Sequence, residues 1–262
     1  MRIELTTEPG DPARPNEDYA SVAVPACGQG GSLVVLDGVT PPAGDDGCLH
    51  SVPWYTARLG GALAELSASR RDMTLRDILA AAIRRTADAH RDTCDLSHPR
   101  TPQATVVLAR WDAEHLEHLV LSDSALLVEA VDGAVTAVLD DRLDRVPRAH
   151  LVSDAVADAT VRNKEGGFFT AAADPDVAHR AVTGSRPRSE VRALAALTDG
   201  VTRWTEKFHE GDWAQLFALV RKEGTEAVVA RVRALEDADA QSRTYLRRSK
   251  THDDASAVYA EL

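Results

Sequence analysis

Apolar residues in this chain cluster into runs, and the spacing within each run predicts its element. Strand-like runs occupy residues 1–5, 19–24 and 32–39, the latter two predicted as an antiparallel pair joined around Gly28-Gln29-Gly30-Gly31-Ser32. The Gly-x-Gly there is followed by another strand-like run instead of a helix, so it reads as a hairpin and not as a dinucleotide loop. Helices are predicted over 53–69 and 75–91. In the second, Leu75, Ile78, Leu79, Ala82, Ile83 and Thr86 form one apolar stripe, and Thr74-Leu75-Arg76-Asp77 approximates a capping box. Strands return at 105–111, 116–121 and 125–131, with an Asp132-Gly133 turn into 135–139. Two more helices, 212–222 and 226–238, lead to a closing strand at 257–262.

This order defines a fold class. A meander of antiparallel strands excludes a parallel doubly wound sheet, and helices in pairs between strand blocks point to sheets packed face to face with helices outside. The expectation is α+β: a central antiparallel β-sandwich flanked by pairs of α-helices, in four αββα layers. One domain over 1–262 is expected, since no linker divides the chain. Residues 140–189 are polar, carry Pro147, Pro175 and Pro187, and place Gly166-Gly167 beside Phe168-Phe169. They are expected to form a flap leaving the core.

Composition narrows the function classes. At 44% hydrophobic residues the chain can bury a sizeable core, yet no run approaches the ~18 apolar residues of a membrane span. The N-terminus lacks the basic, apolar, small-residue order of a secretion signal, so a cytoplasmic location is expected. A net charge of −11 argues against nucleic-acid partners, which bind through basic patches. Cys27, Cys48 and Cys94 are expected to be reduced thiols, because they are odd in number and lack the paired spacing of a structural zinc site. Cys48 with His50 and Cys94 with His98 pair metal-ligand residue types at short range, and are read as unrelated surface and core residues.

The candidate chemistry lies where apolar runs meet aspartate. Leu33-Val34-Val35-Leu36 ends at Asp37-Gly38, Leu119-Val120-Leu121-Ser122 at Asp123, and the run to Leu197 at Thr198-Asp199-Gly200, while Asp253-Asp254 precedes the closing strand. Each alone is an ordinary turn sequence. Together, at strand ends, they describe a carboxylate cluster whose mutual repulsion requires a positive partner, and hard divalent cations prefer such oxygen ligands. Upstream, Arg14-Pro15-Asn16-Glu17-Asp18 adds a guanidinium fork for phosphate oxygens and two further acids.

These blocks in this order resemble the metal-dependent serine/threonine phosphatases of the type 2C family, from about Arg14 to the C-terminus. The resemblance implies two Mg²⁺ or Mn²⁺ ions bridged by Asp37, with Gly38 (through its carbonyl) and Glu17 on one ion and Asp199 and Asp253 on the other. Asp18 is carried over as a metal-shell carboxylate, Asp123 as a ligand of a third, looser position, and Arg14 as the phosphate anchor. It further implies a phosphorylated protein substrate, cleaved by water activated between the ions. A monomer without membrane partner is expected. The alternatives are a catalytically weak phosphatase-like binding module and a small-molecule phosphatase. Departures from the family pattern include the short spacing from Arg14 to Glu17, Val39-Thr40-Pro41-Pro42 in place of a histidine-bearing loop, and Arg203 where relatives place an aspartate. His50 is read as an ordinary loop residue that does not replace that histidine.

Overall fold

The computed structural model describes residues 1–41, 44, 46–245 and 250–262. Pro42, named above in the loop after Gly38, lies outside the described residues. One sheet runs β1 (Ile3–Glu8), β10 (Ala255–Glu261), β9 (Val191–Leu197), β6 (Ala125–Ala130) and β7 (Val135–Val138). The other runs β2 (Tyr19–Ala23), β3 (Gly31–Leu36), β4 (Val106–Trp111), β5 (His115–Leu121) and β8 (Val182–Pro187). Every neighbouring pair is antiparallel.

The sheets stack through Leu33, Val35, Val107, Ala109, Val120, Leu126, Val128, Leu194, Ala196 and Val258. Helices α1 (Val52–Ser69) and α2 (Leu75–Asp88) cover the second sheet, packing Tyr55, Leu59, Ile78 and Leu79 on Val34, Leu36, Val106 and Leu108. Across the molecule, α5 (Asp199–Glu206), α6 (Trp213–Glu223) and α7 (Thr225–Ser242) cover the first sheet through Val201, Leu216, Phe217, Val220 and Val228. The α+β sandwich expected from the sequence is therefore the observed fold. Covering on both faces explains why β3 and β4 are buried at every position and, Ser32 and Arg110 apart, read as apolar runs instead of alternating ones. Each such Val or Leu contributes about 1.5–3 kcal/mol when removed from water.

Local signals act as the sequence suggests, with one refinement. Thr74 Oγ1 accepts from the Asp77 amide at 3.2 Å, but the Asp77 carboxylate accepts from the Thr74 hydroxyl at 2.6 Å instead of closing the box on its backbone. A complete capping box forms at α6, where Asp212 and Gln215 exchange both bonds.

Three expectations need correction. The stretch 140–189 is not an excursion throughout: β8 pairs with β5 from Val120↔Val182 to His115↔Pro187, and Phe169, Ala171, Val177, Ala178 and Ala181 join the core beside α2. β8 escaped notice because an edge strand with exposed positions carries no apolar run. The earlier part holds α3 (Arg142–Arg145) and α4 (Asp154–Thr160), with Val146, Ala157, Val161 and Phe168 in a small cluster of their own. Secondly, α5 begins at Asp199, where only a strand end was expected. Thirdly, Cys48 and Cys94 form a disulfide with Cα atoms 4.3 Å apart across 46 residues, while Cys27 is free and exposed. The antiparallel packing of α1 on α2 brings the loop before the first helix beside the loop after the second.

Candidate metal centre

The strand registers gather the aspartates at one end of the sandwich. Leu36 lies opposite Tyr19, so Asp37 leaves β3 next to Asp18 as it enters β2. In the other sheet Leu197 lies opposite both Ala125 and Ala257, so Asp199 emerges between Asp123 and the Asp253-Asp254 pair. The β5–β6 link crosses between sheets at Ser122, which adopts a left-handed φ of 69° and donates its amide to Asp140 at 2.8 Å. Asp37, Asp123, Asp199 and Asp253 line one cavity of about 300 Å³ with Gly38, Thr40, Thr105 and Lys250. Its far wall comes from Leu143, Leu151, Ala157, Arg162 and Phe168.

Both Asp-Gly steps need their glycine. A side-chain carbon on Gly38 would collide with the Glu17 carbonyl, and one on Gly200 with that of Asp254. Backbone packed this closely brings acids from distant parts of the chain within reach of one another.

The electrostatics record the crowding. Burial, and then the charges of Asp199, Asp18, Asp123 and Asp253, push the Asp37 carboxyl well above the usual range. Asp199 is pushed up to about 7 by burial and then by Asp253 and Asp123, against the pull of Arg203. Asp18 rises to about 8, chiefly by burial, although Thr198 donates to its Oδ2 at 3.0 Å. Burial also raises Asp123. The other Asp18 oxygen, Oδ1, is buried without a hydrogen-bond partner. An orphaned carboxylate oxygen within a set of carboxyls forced toward their protonated form is an all-oxygen donor set that fits a hard divalent cation.

Glu17 is raised by burial and accepts from the Thr40 hydroxyl; Thr40 in turn accepts from Lys250 Nζ at 2.6 Å. Lys250 also reaches Asp253 Oδ1 at 3.2 Å, a rim cation that the sequence reading missed because nothing in its spacing marks it. Arg14 is not in the main cavity. It is exposed and lines a neighbouring one of about 260 Å³ with Glu17 and Asp254, the two cavities sharing Lys250 and Asp253. Asp254 serves as a brace, accepting from the Gly10 amide at 2.8 Å and from the Glu17 amide at 2.6 Å. Arg203 bridges Glu236 and Asp253. A further acid missed in the sequence, Glu206, shares a cavity with Asp123, Asp144 and Arg203 and is raised to about 7 by burial. Its signal was the helical spacing from Asp199, legible only once α5 is known.

The family model described as Protein phosphatase 2C matches residues 13–237. The match ends before Asp253, which the fold alone brings to the cluster. No curated protein sequence matches the chain. Solved structures sharing the fold include the serine/threonine phosphatase Stp1 from Staphylococcus aureus, 14% identical over 99% of this chain and 94% of that one, with a TM-score of 0.62. The S. agalactiae serine/threonine phosphatase is 12% identical over 100% and 99%, with a TM-score of 0.59. The catalytic domain of the serine/threonine phosphatase PstP, solved with two manganese ions, is 17% identical over 99% and 97%, with a TM-score of 0.57.

Proposed function

The chain belongs to the protein phosphatase 2C family and is a metal-dependent serine/threonine phosphatase; we propose that its acidic cavity hydrolyses phosphoserine and phosphothreonine in proteins, with Mg²⁺ or Mn²⁺ as cofactor. The observation that carries this reading is the convergence, beside Asp253, of Asp18, Asp37, Asp123 and Asp199, whose carboxyls are raised by burial and mutual charge. The two manganese ions of the PstP structure support the choice of metal.

Asp37 would hold both cations, Glu17 and the Gly38 carbonyl would contribute to one of them, and Asp199 and Asp253 to the other. Asp18, with its unpartnered oxygen, would add to the donor set, and Asp123 with Glu206 would offer a weaker third position. When bound, the cations lower the pKa of the attacking water and screen the phosphate charge. Lys250 and Arg14 supply the positive rim that draws a phosphate toward an otherwise anionic protein and orient its oxygens. The wall built by 143–168 selects the substrate. We read the protein as a monomer in the cytoplasm; among the described residues no helix is long and apolar enough to cross a membrane.

The test is phosphate release from phosphoserine and phosphothreonine peptides with Mn²⁺, with and without chelator. Metal-dependent turnover is expected; failure to release phosphate at any Mn²⁺ concentration overturns the reading.

A further inference from the structure

Two cysteines and two histidines, none of which lines the acidic cavity, converge at the junction of α1 and α2. Ligand atoms of Cys48, His50, His90 and Cys94 all lie within 4.8 Å of one another. His50 Nδ1 is 3.4 Å from Cys94 Sγ and 3.8 Å from Cys48 Sγ. Tetrahedral zinc with two thiolates and two imidazoles separates its donors by about 3.3–3.8 Å, given the usual Zn–S and Zn–N bond lengths; the His50–sulfur distances fall at that spacing, while the disulfide draws the two sulfurs closer together.

A second observation points to a ligand. His90 is only 2% exposed, yet neither of its ring nitrogens has a hydrogen-bond partner. A buried imidazole left unpaired on both sides is costly, and a coordinate bond removes that cost. The surroundings are shaped for thiolates. The Leu49 amide donates to Cys94 Sγ at 3.3 Å and the His50 amide to Cys48 Sγ at 3.4 Å, as favours charge on sulfur. Trp54 packs on both imidazoles, with ring centroids 4.0 Å from His50 and 5.2 Å from His90, which fixes their orientation.

We propose that the reduced chain binds one zinc ion through Cys48, His50, His90 and Cys94. Two soft sulfurs with two imidazoles select zinc over the hard cations suited to the carboxylates. The site clamps residues 47–51, which lead from the Asp37-Gly38 step into α1, to the segment that follows α2. Disulfide and metal use the same two sulfurs, so the chain holds one or the other. Sequence spacing concealed the site because Cys48-x-His50 and His90-x₃-Cys94 lie on different loops, and because His98, the neighbour first paired with Cys94, lies outside the four.

The full-length protein carrying Cys27→Ser, reduced and metal-free, is titrated with Co²⁺, whose thiolate charge-transfer absorption reports sulfur ligands and is silent on carboxylates. One equivalent with that absorption is expected, displaced by one equivalent of Zn²⁺. Cys48→Ser/Cys94→Ser should abolish the band, and His90→Ala and His50→Ala should each weaken retention at least ten-fold against a competing chelator. Absence of the band in the reduced Cys27→Ser protein overturns the proposal whether or not the variants fold. So does a band that survives Cys48→Ser/Cys94→Ser.

Discussion

Arg203 donates through Nη2 to Oδ2 of Asp253 at 2.5 Å, so one oxygen of a proposed metal ligand is held by a guanidinium. The same guanidinium pairs with Glu236 at 2.6 Å, and Glu236 is fully buried. Where relatives place a further aspartate, this chain places a strut between α5, α7 and the approach to β10. Its positive charge lowers the Asp199 carboxyl, offsetting part of the cluster's repulsion.

Replacing Arg203 by alanine therefore acts on stability and on the metal. Removing one partner of a buried pair costs about 3–5 kcal/mol, but Arg233 stays on Glu236 at 2.8 Å, so a loss of about 2–3 kcal/mol is expected in denaturant titration. Asp253, released from its orienting contact, should require about ten-fold more Mn²⁺ for half-maximal activity, with turnover recovered at saturation.

Asp37→Asn and Asp199→Asn should each abolish Mn²⁺-stimulated hydrolysis of an aryl phosphate. In metal-free protein the same substitutions remove a repelling charge from a crowded cluster, so the melting temperature should hold or rise. A fall in both activity and metal-free melting temperature would instead mark these residues as structural supports.

The raised carboxyls set the sign of the pH dependence. Asp199 at about 7 and Asp18 at about 8 compare with an ordinary 3.8, so between pH ~4 and ~8 the folded metal-free chain holds more protons than the unfolded one. Stability of the metal-free protein should therefore be greatest at the acid end and fall as pH rises, by at most about 1.4 kcal/mol per pH unit for each extra proton. Mn²⁺ binding displaces those protons, so the melting-temperature increase it gives should grow from pH 6 to pH 8. Calorimetry in buffers of different ionisation enthalpy should show proton release at pH 6.5.

Lys250 sits between two demands, touching the Asp253 carboxylate and lining both cavities. Lys250→Ala should lower the Mn²⁺ concentration for half-maximal activity by about two- to five-fold, the scale of an exposed ion pair. It should also raise KM for a phosphopeptide, with an increase that shrinks at high salt. Unchanged KM at low ionic strength would remove Lys250 from the phosphate path.

Much of this protein is written locally. Apolar runs such as Leu33 to Leu36, the stripe from Leu75 to Thr86 and the Asp132-Gly133 turn each specify their element through contacts near in sequence, and the Asp-Gly steps mark strand ends. Such signals carry the layer order and most of the acidic cluster, because a buried run followed by a polar turn has few other ways to fold. What lay beyond the sequence depends on contacts between distant segments. β8 is a strand because the edge of β5 is there to receive it; Arg203 faces Asp253 because α5 turns inward; Arg14 and Lys250 line one cavity only because two loops adjoin. The pairing of Cys48 with Cys94 beside His50 and His90 follows from α1 lying antiparallel on α2, a packing decision with no signature in spacing. Local pattern determined the elements, and the stacking of two twisted sheets under their helices decided which side chains would share a site.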